Sequence, residues 1–471
     1  MRGAGYCLGM ATSDRSLPAG PRLPPVLQTL RWLVRPIAFL EACRREFGDA
    51  FSVRFLGFET PMVMLSDPET IRVLYTAPEH TLPPGRTFAL RPIMGPRSVL
   101  LLEGREHLAR RRLMLPPFHG QRMRAYESIV RDVVAGEVAR WPEDEVFAIH
   151  PRMQLVTLEV ILRAVFGVTD PARRERLAEH LQRLLTDTAS PSLQFGVLLS
   201  RRVGAADPLK GLEAQRRAID AMLDVEISER RSDPRDDILS MLIAARFEDG
   251  APMADAEIRD QLITLLLAGH ETTATGLAWT FDLLLRHPEA LARLLAEIDA
   301  GSEDAYLRAV VAESLRLRPV VPLAGRRLAS ELRVGAHVLP PGTDVTPAIW
   351  LTHTRAQTYR EPFAFRPERF LEDAPSTYAW IPFGGGVRRC LGAAFAEMEM
   401  RVALAEILRR RVLSPAPGAG AERVARRNVT FSPARGTRVV ARSNVPTYPG
   451  PASTATGMSR YSTKNNAHTR M

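Results

Sequence analysis

Phe383 to Gly392 read F-G-G-G-V-R-R-C-L-G, which sets one cysteine among four glycines and two arginines. The chain has only three cysteines, Cys7, Cys43 and Cys390, at spacings that give neither a zinc knuckle nor a C-x-x-C redox pair. A disulfide framework is therefore not expected. Cys43 reads as a small core hydrophobe and Cys7 as a thiol near a terminus. Cys390 differs, because Arg388, Arg389 and the start of a following helix should lower its pKa and hold a thiolate. A thiolate in that setting serves as a nucleophile or as a metal ligand.

Four further groupings have spacings suited to chemistry. Glu313 and Arg316, in E-S-L-R, share a helix face at i and i+3 and can pair. Arg369 closes the run P-F-A-F-R-P-E-R-F from Pro362 to Phe370. His107 and Arg111 lie four apart in a helical stretch. Ala268-Gly269-His270-Glu271-Thr272 puts polar groups inside a long apolar helix, expected over about 255–286. One reading of that last run is a helix kinked at Gly269, with threonines bonding back to carbonyls.

Together these segments resemble the cytochrome P450 family of haem-thiolate monooxygenases, over roughly residues 21–440. The cysteine loop matches F-G-x-G-x-R-x-C-x-G at Phe383, Gly384, Gly386, Arg388, Cys390 and Gly392. The resemblance implies that Cys390 is the axial thiolate ligand of haem b, whose electron donation favours oxygen-oxygen cleavage. It also implies that Arg388, His107, Arg111 and Arg326 hold the haem propionates, with neighbouring Arg327 an alternative to Arg326. Glu313, Arg316 and Arg369 match E-x-x-R and P-x-x-F-x-P-x-R-F, which implies a buried network fixing the cysteine loop. Ala268, Gly269, Glu271 and Thr272 match A-G-x-[D/E]-T; Ala268 and Gly269 would border the cofactor, the Thr272 hydroxyl would sit beside dioxygen, and Glu271 would relay protons. His270 has the variable position and no catalytic role. One departure is His353-Thr354-Arg355-Ala356, where many members read H-R-D-P, a change expected to touch packing only.

By the same resemblance the substrate is a small apolar molecule such as a lipid, terpenoid, steroid or polyketide, hydroxylated or epoxidised with dioxygen. Residues 88–94, 193–199 and 320–323, with Leu265, Ala268 and Phe431, are the expected pocket lining. The stretch after Cys390 is too short for a reductase domain, so electrons should come from a ferredoxin or flavodoxin served by an NAD(P)H-dependent reductase. Arg110, Arg112, Arg389 and Arg401 are expected to form its basic docking patch. Rival functions are a haem-thiolate isomerase, dehydratase or peroxygenase, which would not need Glu271 and Thr272, and a non-catalytic haem sensor or binding protein.

The elements that must position these residues follow from the rest of the 471-residue chain. Hydrophobic and charged contents of 45% and 25% are ordinary globular values, compatible with a sizeable core. The formal net charge is +10, nearly all of its cations arginine, but they are interleaved with acids and carry no aromatic-basic array, so nucleic acid is not an expected partner. Arg110 to Arg112 and Arg409 to Arg411 read mostly as solvated helix faces. No run reaches the approximately 18 apolar residues of a membrane span, and no signal peptide is evident, so a soluble cytoplasmic protein without a transmembrane anchor is expected. The segment 26–39 reads as an amphipathic packing helix, with peripheral membrane contact the alternative.

Helical periodicity dominates from about Arg105 onward. Strand signals are confined to a hairpin over 50–65 and to 332–338, 345–349 and 437–441. A mainly α, α+β fold with a minor β-sheet follows, as one large domain over 21–442, with a lead-in over 1–20 and a polar, disordered tail over 443–471.

Overall fold

The computed structural model describes residues 17–56, 58, 60–78, 82–83, 91–120, 122–189, 210–301, 304–427 and 429–444. Most of the expected lead-in and tail, and the lining positions 88–90 and 193–199, lie outside these residues. The helices are α1 Pro25–Val34, α2 Pro36–Phe47, α3 Pro68–Thr76, α4 Arg91–Met94, α5 Gly104–Met114, α6 Arg122–Val138, α7 Ile149–Val160, α8 Pro171–Ala189 and α9 Lys210–Ser232. They continue as α10 Ile238–Ala244, α11 Asp255–Leu284, α12 Pro288–Ala300, α13 Ala305–Leu317, α14 Ile349–His353, α15 Arg369–Glu372 and α16 Ala393–Arg410.

Local chemistry sets several boundaries. Proline occupies the first turn of α1, α2, α3 and α12, where its missing N–H costs no helical bond. The Asp67 carboxylate caps α3 by accepting from the Thr70 N–H at 3.0 Å. Gly48, at φ 84°, ends α2 where the expected helix stops.

α11 is the axis of the molecule. From Thr273 to Leu284 every residue is buried, so this C-terminal stretch of the helix is covered on all sides. α7 packs along it and continues as one π-turn, Ile161–Val165. α13 and α16 also pack on α11, and α6 covers α16, giving a helical core into which the site elements are set.

The sheets are small. β1 (Ala50–Val53) and β2 (Met62–Leu65) form the expected hairpin, and β2 pairs in parallel with Asp344–Pro347, which pairs antiparallel with Arg326–Arg327. The expected single strand over 332–338 is instead two strands, Leu332–Val334 and His337–Leu339, because Gly335 at φ 58° turns the chain between them. The run Arg409 to Arg411 is not one helix face either. α16 ends at Arg410, and Arg411 starts a strand, buried against Glu143 and the Val138 carbonyl.

Candidate functional site

Backbone geometry explains the glycines of the cysteine loop. Gly384 and Gly386 have φ 67° and 64°, in the left-handed region where a side chain is strained. A Cβ at Gly385 would lie 2.3 Å from the Tyr75 ring, and one at Gly386 would lie 2.4 Å from the Tyr75 carbonyl oxygen. The loop is thus pressed onto the end of α3, a contact that motif reading missed. It closes on itself through Cys390 N–H to the Phe383 carbonyl (3.0 Å) and Arg389 N–H to the Gly386 carbonyl (3.0 Å). A Cβ at Gly392 would meet no described protein atom, so protein packing does not require that glycine.

The expected buried network assembles and reaches the loop. Arg316 makes a two-point contact with Glu313, at 2.6 and 2.8 Å, and both residues are 0% exposed. Arg369 donates to Glu313 at 3.2 Å, and the Arg366 N–H adds a third donor at 2.8 Å. Arg316 also donates to the carbonyls of His353, Pro362 and Ala364.

His353, treated in the sequence as part of a packing departure, carries the connection onward. Its Nδ1 donates to the Arg316 carbonyl (3.1 Å), and its Nε2 accepts from the Ile381 N–H (2.9 Å), two residues before Phe383. That pair of bonds requires the neutral imidazole, and burial lowers its pKa to about 3. Trp380 supports the same corner by donating to the Ala312 carbonyl at 3.1 Å and meeting Phe383 edge to face.

Four nitrogen groups converge beside the loop. His107 is buried and lies in the field of Arg388, Arg111 and Arg326; burial first, then these guanidinium groups, lower its pKa to about 4. Arg388 donates to the Leu102 carbonyl at 2.8 Å. The neighbours Arg326 and Arg327 divide: burial lowers the pKa of Arg326, which lies near Tyr75, whereas Arg327 faces Asp344 at 3.8 Å. Tyr75 Oη is buried with no hydrogen-bond partner among the described residues, 3.8 Å from where a Cβ on Gly384 would lie.

Cys390 is accessible at the face of this loop yet set deep within it. Its cationic neighbours do not dominate its acidity, contrary to expectation. Burial pushes the thiol up, against the pull of the Gly392 N–H, Arg111 and Arg389. A group that both binds the sulfur as thiolate and carries carboxylates would answer the site's two features, an accessible thiol held in a tightly turned loop and concentrated positive charge beside an orphaned hydroxyl.

On α11 the stripe Leu265, Ala268 and Thr272 keeps accessible surface while Leu262, Ile263, Leu266 and Thr273 are buried. At i, i+3 and i+7 these positions share one face, which the described residues leave partly uncovered. Gly269 packs against the π-turn that follows α7, where a Cβ would lie 3.4 Å from Ile161 Cδ1. The helix runs through Gly269 without a break, and Thr272 Oγ1 donates back to the Ala268 carbonyl at 2.5 Å.

Glu271 points toward α7. It accepts from Gln154 Nε2 at 2.6 Å and Thr275 Oγ1 at 3.3 Å, and His150 Nε2 lies 3.5 Å away. Burial raises its pKa, partly offset by Gln154, Arg427 and Thr275. His270 is buried on the same helix with its pKa lowered to about 4. Gln154 and His150 were not singled out in the sequence, since nothing in their local pattern marks them.

The remaining expectations resolve unevenly. Three of the four arginines expected to form a basic docking patch are engaged with acids: Arg110 with Glu257 at 2.8 Å, Arg112 with Glu248, and Arg401 with Asp304. Arg389 is exposed. Of the expected lining, Ile93, Met94, Val320 and Phe431 are core residues, the Phe431 ring meeting that of Trp32 at a tilt, 5.8 Å between centroids.

Residues 18–437 match the family model described as Cytochrome P450. The chain is 42% identical over 426 residues to the protein named cytochrome P450 135B1 of Mycobacterium tuberculosis, covering 87% of this chain and 88% of the relative. It is 38% identical over 414 residues to that organism's cytochrome P450 138, covering 86% and 91%. Among solved structures, retinoic acid-bound cyanobacterial CYP120A1 superposes with a TM-score of 0.78 at 26% identity, covering 91% of this chain and 100% of that one. The haem domain of cytochrome P450DA gives a TM-score of 0.78 at 22% identity, covering 91% and 98%.

Proposed function

The chain belongs to the cytochrome P450 family, and from that premise we propose that it is a haem-thiolate monooxygenase acting on a small apolar substrate with electrons from a separate redox protein. The observation that carries this reading is the accessible Cys390 sulfur held in a tightly turned loop beside His107, Arg111, Arg326 and Arg388. Bound there, haem b would supply oxygen binding and reductive cleavage of the oxygen-oxygen bond.

The protein residues then divide the work. Cys390 Sγ is the metal ligand, and the φ values of Gly384 and Gly386 aim it. Arg111, Arg326 and Arg388 hold carboxylates by charge, while neutral His107 adds an N–H without a further charge. Phe383, Gly384 and Gly392 shape the loop around the ligand.

Thr272 and Glu271 handle protons. Because Thr272 Oγ1 gives its hydrogen to the Ala268 carbonyl, its lone pairs are available to accept a proton-bearing group on that uncovered face. Glu271, with its pKa raised by burial, holds a proton more readily than an exposed glutamate and can pass it on as a general acid. Its contacts with Gln154 and Thr275 put the loading side of that relay against α7.

Leu265 and Ala268 give the uncovered face of α11 an apolar surface, as expected for an apolar ligand. That a protein of this fold at 26% identity binds retinoic acid agrees with that class. A ferredoxin or flavodoxin is the electron donor we favour, docking near Arg389.

The decisive test is the carbon monoxide difference spectrum of the reduced protein, followed by substrate-dependent NAD(P)H consumption with surrogate redox partners. A red-shifted thiolate band that is lost in Cys390→Ser, together with oxygenated product, supports the proposal. Absence of that band rejects the haem-thiolate site. A band without any turnover on NAD(P)H or peroxide favours a sensor, and turnover on peroxide alone favours a peroxygenase.

A further inference from the structure

Helix α1 is docked the wrong way round for a helix of a water-facing surface. Its buried residues are Gln28 and Trp32, while Val26, Leu27, Leu30, Leu33 and Val34 are 56%, 44%, 54%, 49% and 67% exposed. At about 100° per residue the five aliphatic side chains cover one face about 120° wide, opposite the face carrying Gln28 and Trp32. Of the two expectations for the amphipathic segment 26–39, packing against the protein and peripheral membrane contact, an outward apolar face on α1 departs from the first.

The inverted docking is well fixed. Gln28 donates to the carbonyls of Pro21 and Leu23 and accepts from the Arg54 N–H, so the buried amide is fully used. Trp32 packs against Phe55 and Phe431 at 5.9 and 5.8 Å. Thr29 Oγ1 accepts from the Leu56 N–H at 2.7 Å, which brings the end of the β1–β2 hairpin alongside, with Leu56 39% and Phe58 38% exposed. The result is a continuous aliphatic ridge rather than isolated exposed side chains.

Its charge identifies the occupant. Between Leu17 and Leu40 the sequence has Arg22, Arg31 and Arg35 and no acid. All three arginines are exposed, and no ion pair among the described residues engages them. A second copy seated on this face by a twofold axis would bring like charges together. An aliphatic ridge flanked by cations is the pattern of a helix lying in a membrane interface, its side chains among acyl chains and its arginines among headgroup phosphates. No described helix is long and apolar enough to cross a membrane, so the contact is peripheral.

We propose that α1 and the adjoining hairpin end dock this protein on the surface of an anionic lipid bilayer. The test is flotation of the 471-residue holoprotein with vesicles of phosphatidylcholine alone and of phosphatidylcholine mixed with phosphatidylglycerol. Binding to the anionic vesicles should exceed binding to the neutral ones by about tenfold and fall as salt rises. Leu27→Ser/Leu30→Ser/Leu33→Ser should lower it by about tenfold or more, and Arg31→Glu/Arg35→Glu should abolish the preference for anionic lipid. Because these side chains are exposed, the absorption spectrum and Tm should be unchanged, and Val225→Ser on α9 should bind as the parent does. Equal recovery with and without vesicles overturns the proposal. So does a dimer seen by light scattering that the serine variants dissolve without any lipid binding.

Discussion

At the scale of single residues, the distinction between a group that touches the chemistry and one that positions it lies in the partners of Glu271. Gln154 Nε2 at 2.6 Å is the shortest contact of that carboxylate, and it holds the side chain toward α7. Glu271→Gln should therefore lower product formation by about a hundredfold, the scale of a lost general acid, while NAD(P)H consumption falls less. Gln154→Leu should leave the acid in place but misaim it, giving a smaller loss of product per NAD(P)H and a pH profile shifted upward, since one interaction favouring the ionised form is gone. Product yield and cofactor consumption measured together check both. Glu399, on α16, has a different fate. It is 2% exposed, its Oε1 has no partner, and burial raises its pKa from 4.5 to about 8. The folded protein thus keeps this proton where the unfolded chain releases it, so its contribution is favourable below pH 4.5 and is lost as pH rises toward 8. Glu399→Gln should match the parent near pH 4.5 and exceed it by about a few kcal/mol above pH 8. Urea denaturation at the two pH values measures this, and parallel stability curves would reject it.

At the scale of elements, motif matching found the partners but not the joints between them. Glu313, Arg316 and Arg369 were identifiable because their spacing survives in one dimension, and the structure brings all three together. The Tyr75 contact on Gly385 and the His353 bridge to Ile381 were not, since each joins segments far apart in the chain and leaves no periodic trace. The long helices were readable for the same reason that the strands over 411–415, 424–427 and 430–433 were missed: short edge segments carry too few alternations to signal a period. α1 shows a deeper limit, because amphipathic periodicity fixes that a face exists but not whether it turns inward. These joints yield a prediction for the cysteine loop. Glu313→Ala leaves Arg316 and Arg369 buried without their carboxylate, a loss of about 3 to 5 kcal/mol, and should give little haem-loaded protein. Gly385→Ala, which drives a methyl into the Tyr75 ring, should also lower haem content, and adding Tyr75→Ala should restore part of it. The pyridine haemochrome assay per mole of protein gives the readout; full haem content in Glu313→Ala would remove the network from the account.

At the scale of the whole molecule, a net charge of +10 overstates the field an electron donor would meet. Arg110, Arg112 and Arg401 are each held by a carboxylate, and beyond the roughly 8 Å Debye length at physiological salt such pairs contribute little. Arg389 stands differently: it is exposed, precedes Cys390, and acts on both Cys390 and Glu397. Steering by one cation is weaker than steering by a patch of four, so reduction by an acidic ferredoxin should slow with rising ionic strength, but with a shallow slope. Arg389→Glu should slow reduction at low salt by about threefold to tenfold, with parent and variant converging at high salt. Arg112→Ala, which removes one cation and releases Glu248, should shift the rate in the same direction by less if the pair is remote from the docking point, and by as much if it belongs to it. Stopped-flow reduction under carbon monoxide across a salt series separates these cases. Identical low-salt rates for the parent and Arg389→Glu would move the docking face away from the cysteine loop altogether.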